Sequence, residues 1–191
     1  NKSTGYLITR EEDPEYPVLL SFVEEILNIQ LNDYPPNRMM NFDIALDNNY
    51  GEQMLLEIYT HAPNGLISKL FESYQGIALN DWQLKLQTGY LQKPVIKEKI
   101  HQRYSALCIF PKQNGLVTEI NKPIFSSSTE VFWRIHPGQR TTESDNIEDY
   151  GLAVLLSNNC WEDLKKDYET ACLQSYFNVT NTMKSCDTAL N

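Results

Sequence analysis

Three histidines and four cysteines are the residues of this sequence whose types most readily do chemistry. His61 lies in Tyr59-Thr60-His61-Ala62-Pro63, and His136 lies in Arg134-Ile135-His136-Pro137-Gly138. Each stands where an alternating apolar run gives way to proline, so each is expected at the end of a strand. Two imidazoles meeting there could serve as a general base and its partner, as in a small hydrolase. No Ser, Cys or carboxylate adjoins either one, and an imidazole ahead of a turn ordinarily bonds a loop carbonyl. His101, among basic residues, reads as a surface histidine.

The cysteines are Cys108, Cys160, Cys172 and Cys186. An even count without any C-x2-C pair points to disulfides in an oxidising compartment rather than to zinc. Asn159 and Glu162 have the spacing of a helix N-terminus, and Leu164, Tyr168 and either Ala171 or Cys172 recur at helical intervals, predicting a helix over about 160–176. Along it Cys160 and Cys172 would be about 18 Å apart, too far to bond. A turn near Asn178 and a second helix over 180–190 would return Cys186 beside Cys172. The expected bridges are therefore Cys172–Cys186 and Cys108–Cys160, the first closing a loop of about 15 residues worth ~3 kcal/mol.

No nucleophile elbow, phosphate loop, dinucleotide fingerprint or H-E-x-x-H pair is present. No catalytic residue, metal site or cofactor is assigned. Asp43, Asp47, Asn48, Asn49 and Glu52 gather side-chain oxygens around one turn, which could attract Ca²⁺. Their spacing is not that of an EF-hand, and Asn and Asp are also what turns prefer for backbone reasons.

The elements that must position these residues follow from periodicity. Tyr6 to Thr9 is a short β-like run. Val18, Leu19, Phe22, Val23, Ile26 and Leu27 mark an amphipathic helix that opens at Pro17 and stops before Pro35-Pro36. Phe42, Ile44 and Leu46, then Met54, Leu56 and Ile58, alternate on either side of an Asn-rich turn and predict a β-hairpin. A helix over 63–74 ends at Gly76. Trp82, Leu84 and Leu86 alternate as a strand would, and 94–103 is ambiguous. Residues 105–110 read as a central strand covered on both faces, turning through 111–115 into a strand over 116–120. Val131, Trp133 and Ile135 begin another strand, 137–149 is a long polar loop, and 152–156 is a last strand.

The fold class is therefore α+β: one domain over 6–191 behind a polar tether at 1–5. It is built on a mainly antiparallel sheet of about six or seven strands, with an N-terminal helix and a disulfide-tied C-terminal helical hairpin. The 191 residues carry 16 Lys plus Arg against 25 Asp plus Glu, a net charge of −9. That balance argues against a nucleic-acid partner, and no run of about 20 apolar residues could span a membrane. The polar start is compatible with a removed leader or a lipid anchor.

Taken together these features describe a periplasmic or extracellular, non-catalytic binding protein of the inhibitor or immunity type. It would neutralise a basic enzyme or toxin by protein–protein contact, its acidity speeding the encounter. The expected contact residues are Asp47, Asn49, Tyr50 and Glu52 at the hairpin tip, with Glu143, Asp145, Glu148 and Asp149 in the acidic loop. A His61/His136 hydrolase and an envelope lipoprotein or adaptor are the alternative readings.

Overall fold

The computed structural model describes residues 4–8, 13–30, 39–46, 52–63, 65–76, 78–90, 103–144 and 146–180. They fall into two compact units, residues 7–102 and residues 1–6 with 103–191.

In the unit of residues 7–102, helix α1 (Glu15–Gln30) begins two residues before Pro17. The proline still lies in the first turn, where its missing N–H costs nothing. Leu19, Phe22, Val23, Ile26 and Leu27 turn inward, as their spacing requires, whereas Val18 is exposed. Strands β2 (Asn41–Leu46) and β3 (Gln53–Tyr59) pair antiparallel as the expected hairpin. Helix α2 (Gly65–Gln75) stops at Gly76, whose φ of +67° suits glycine and whose N–H donates to Glu72 O at 2.8 Å.

The strand expected at Trp82–Leu86 is instead part of helix α3 (Leu79–Gln87). Leu79, Trp82 and Leu86 are three and four apart and half-buried, while Leu84 is exposed. The helical period, not the alternation, matches the burial. The ambiguous stretch 94–103 lies outside the described residues up to Gln102.

The second unit holds a four-stranded sheet in the order β1 (Thr4–Leu7), β4 (Tyr104–Pro111), β8 (Tyr150–Asn158), β6 (Ser128–Trp133). Strand β1 takes in Thr4 and Gly5, which the sequence assigns to a tether. β4 and β8 run antiparallel with Cys108 opposite Val154, and residues 105–110 and 150–156 are buried. Continuous burial explains why these two strands read as unbroken apolar runs. Helix α4 (Trp161–Leu173) packs Leu164 and Ala171 against Ala106, Cys108, Val154 and Leu156. A Cβ at Gly5 of β1 would run into the ring of Tyr168 on α4, which would have to shift.

Strand β5 (Gly115–Ile120) does not pair with β4, as a simple hairpin would demand. It joins β7 (Arg140–Thr141) and β9 (Phe177–Thr180) in a separate three-stranded sheet. Strand β9 also replaces the expected turn near Asn178, and α4 ends at Leu173 rather than at 176. The mixed α+β class is observed, with mostly antiparallel pairing. The described strands number nine and are spread over three sheets, not gathered into one of six or seven.

A buried carboxylate fixes α4 to the loop before β6. Asp167 accepts from Ser127 N–H at 2.7 Å and from Ser126 Oγ at 2.8 Å. Burial alone would raise its carboxyl, but the bonds from Ser127 and Ser126 outweigh it and hold the group below the ordinary carboxylate value.

The expected sulfur bridges are not formed among the described residues. Cys108 Sγ faces Cys172 Sγ, not Cys160, at 3.8 Å, well beyond a covalent bond. Cys160 is the N-cap of α4, with its sulfur 3.3 Å from Glu162 Oε2. The residue before it, Asn159, is not the cap, and Asn158 Oδ1 accepts the Cys160 N–H instead. Cys186, and with it the second tail helix, lies outside the described residues.

Candidate functional site

The β2–β3 hairpin sets two carboxylates opposite one another. In its register Asp43 pairs with Glu57, and Asn41 with Tyr59, so all four belong to one face. The register then slips: Ile44 pairs with Leu55, leaving Leu56 as the extra residue of a bulge beside the Asp43–Glu57 pair. Like charges directly opposite each other weaken a sheet, so this placement gains nothing for stability.

The Tyr59 hydroxyl donates to Glu57 Oε2 at 2.6 Å. That bond, followed by partial desolvation and the charges of Glu57 and Asp43, pushes the Tyr59 phenol up to about 12. A proton is harder to remove where it already serves a carboxylate and where the new anion would sit beside two others. His61 continues the strip, its ring centroid 5.5 Å from that of Tyr59. Downstream, the Ala62 N–H donates to Gln83 Oε1 of α3 at 2.5 Å, anchoring the exit of the hairpin. Asn41, Asp43, Glu57, Tyr59 and His61 thus form a polar strip on a fixed support. Its oxygen donors suit a hard cation more than a nucleophilic reaction.

His61 Nδ1 lies 2.8 Å from Ala62 O, and His136 Nδ1 lies 3.2 Å from Pro137 O. In each ring Nδ1 meets a neighbouring loop carbonyl, the ordinary arrangement for a histidine ahead of a turn.

Of the expected contact residues, Asp47, Asn49, Tyr50 and Asp145 lie outside the described residues. Glu52, Glu143 and Glu148 are exposed, and Asp149 is half-buried. One carboxylate of the acidic loop has a basic partner. Lys112 bonds Asp149 and, with other contacts, holds its carboxyl below the usual range. Arg134 stacks 4.6 Å from the Tyr150 ring and donates to Glu148 O at 2.7 Å. Thr141 is buried, with its hydroxyl on Gln113 O. No cluster of three or more His, Cys, Asp or Glu stands ready to hold a metal among the described residues.

Sequence reasoning singles out Asp43 and His61 but passes over Glu57 and Tyr59. Their signal is a register, not a motif: it appears only once Glu57 is known to oppose Asp43. The bulge hides it by making Met54, Leu56 and Ile58 look like one buried face. Met54 and Leu56 are in fact exposed, while Leu55 and Ile58 are half-buried.

No known protein family matches the chain, and no curated protein does either. Its fold is similar to those of two solved structures. An L-amino acid ligase from Bacillus licheniformis matches 92% of this chain with a TM-score of 0.63 at 15% identity. The biotin carboxylase domain of the 2-oxoglutarate carboxylase of Hydrogenobacter thermophilus matches 94% with a TM-score of 0.58 at 16% identity. The latter structure is a dimer in complex with MgADP, ADP and bicarbonate. The chain spans 43% of the first structure's length and 39% of the second's.

These likenesses correct the expected function. The similar structures are an amino acid ligase and a biotin carboxylase domain, and nothing in them supports the expected inhibitor or immunity role. The sulfur bridges on which an exported, disulfide-bonded role rested are absent among the described residues. No helix of the described residues is long and apolar enough to cross a membrane.

Proposed function

We propose that this chain serves an ATP-dependent ligase or carboxylase and that the β2–β3 hairpin faces a magnesium nucleotide. The observation that carries this reading is the opposition of Asp43 and Glu57 on an exposed, bulged hairpin of a fold shared with a MgADP-bound carboxylase domain. Mg²⁺ is commonly held by one or two carboxylates, with water and phosphate oxygens completing its shell, so a pair suffices where a closed protein cage would need more. Asp43 and Glu57 would hold the ion, which when bound neutralises charge on the phosphates.

This chain's own residues then have distinct parts. The Tyr59 hydroxyl orients one oxygen of Glu57, leaving the other to the ion. Gln83 fixes the backbone that follows the strip. An acidic strip repels bare phosphate, so nucleotide binding here must be cation-dependent.

Isothermal titration of the whole chain tests this. ADP with Mg²⁺ is expected to bind, and ADP with a chelator is not. Asp43→Asn and Glu57→Gln should each weaken binding about tenfold or more, the loss of one charge-assisted contact. Equal binding with and without Mg²⁺, or no effect of either substitution, contradicts the proposal.

A further inference from the structure

Away from the hairpin, the unit of residues 1–6 and 103–191 brings together two thiols that the proposed function does not use. Cys108 Sγ in the middle of β4 and Cys172 Sγ in the last turn of α4 are 3.8 Å apart. Their surroundings differ. Cys108 has no exposed surface and sits in the apolar core with Val154 and Leu156. Cys172 is half-buried and lines a cavity of about 180 Å³ with Phe110, Gln113, Leu173 and Tyr176.

One thiol is therefore sealed and the other can meet a small solute. Burial pushes the Cys108 thiol well above its ordinary value, so it stays protonated at neutral pH. The helix ends one residue after Cys172, which leaves the last turn room to close the remaining gap between the sulfurs. Tyr168, one turn earlier, hydrogen-bonds Cys172, and the hydroxyl of Tyr176 is buried in the same cluster.

We infer that Cys108 and Cys172 form a redox-active dithiol whose oxidant is a small hydroperoxide, with Cys172 the reacting thiol and Cys108 the resolving one. With hydrogen peroxide as that hydroperoxide, Cys172 Sγ attacks one oxygen, the O–O bond breaks, and the departing hydroxide takes the Cys172 proton and leaves as a first water, with Cys172 now a sulfenic acid. Cys108 Sγ then attacks Cys172 Sγ. The S–O bond breaks, its hydroxyl takes the Cys108 proton and leaves as a second water, and an S–S bond forms. Two thiols lose two electrons and two protons, and hydrogen peroxide receives them. The product ties the end of α4 to β4, which distinguishes it from the permanent bridges expected at Cys108–Cys160 and Cys172–Cys186.

The test uses the full chain carrying Cys160→Ser and Cys186→Ser, so that only this pair remains. Native protein is treated with hydrogen peroxide, quenched with catalase, alkylated, digested and weighed by mass spectrometry. The expected result is loss of both thiols together and a peptide pair linked through Cys108 and Cys172, two hydrogens lighter than the separate peptides. Dithiothreitol should reverse it. In the same background, Cys108→Ala should stop Cys172 at a sulfenic acid trapped by dimedone, and Cys172→Ser should leave Cys108 unreacted.

If Cys108→Ala fails to fold by circular dichroism, the linked peptide and Cys172→Ser decide the matter. Oxidation of Cys172 to a sulfinic acid with Cys108 still alkylatable overturns the inference. So does survival of both thiols while free cysteine in the same tube is consumed.

Discussion

The β4–β8 ladder and the β2–β3 hairpin are both antiparallel pairs, and they have been put to opposite uses. In the ladder, buried residues run unbroken from 105 to 110 and from 150 to 156, and from Ala106–Leu156 to Phe110–Leu152 the opposing side chains are apolar. In the hairpin, two carboxylates oppose each other and Met54 and Leu56 are more than 60% exposed. A ladder covered on both faces is where burial stabilises the fold. A bulged ladder open on one face can keep like charges opposed, because water screens them and the rest of the unit holds the hairpin in place.

Substitutions sharpen this contrast. Leu164 has no exposed surface, and Leu164→Ala should cost about 2–5 kcal/mol in urea unfolding followed by fluorescence. Leu56→Ala on the hairpin bulge, 62% exposed in the native chain, should stay within about 0.5 kcal/mol. Equal losses at the two sites would erase the distinction.

The next effect concerns the buried carboxylate. Asp167→Ala strips the Ser127 N–H of its acceptor and should cost about 1–3 kcal/mol. Because the folded carboxyl lies below its unfolded value, this stabilisation is complete above roughly pH 4 and is lost as pH falls through the folded pKa. A profile of stability against acid pH that is unchanged in Asp167→Asn would contradict this.

Three tyrosines give the smallest effect and the cleanest separation of causes. The phenols of Tyr59, Tyr168 and Tyr176 are all pushed up to about 12. In Tyr168 and Tyr176 burial is the leading cause, with the nearby thiols adding to it. In Tyr59 it is the bond to a carboxylate. Each contributes stability that is intact below pH 10 and lost as pH rises from 10 towards 12. Glu57→Gln should bring the Tyr59 ionisation back towards 10 in an ultraviolet titration and leave the other two where they are.

Much of the fold can be read from periodicity, because burial imposes it. The amphipathic face of α1, the hairpin and the two sealed strands all carry patterns that one local element explains. What is not legible depends on non-local pairing. Trp82, Leu84 and Leu86 alternate by coincidence, and only their packing with the rest of α3 reveals the helix. β5 follows β4 after a turn yet pairs with β9, some sixty positions along the chain. Cys172 faces Cys108, 64 positions away, for the same reason: sequence distance says little about which strand a helix lies across. The polar strip is the extreme case, since Glu57 acquires meaning only from Asp43 on the opposite strand.

The central claim is that this opposed pair binds a magnesium nucleotide. The most direct test replaces Mg²⁺ by paramagnetic Mn²⁺ with ADP and follows amide resonances of the isotope-labelled chain. The account predicts that the signals of Asp43, Glu57 and Tyr59 broaden first, and that Glu57→Gln abolishes the effect at the same Mn²⁺ concentration. Broadening centred elsewhere in the chain, or none while ADP is present in excess, would contradict it.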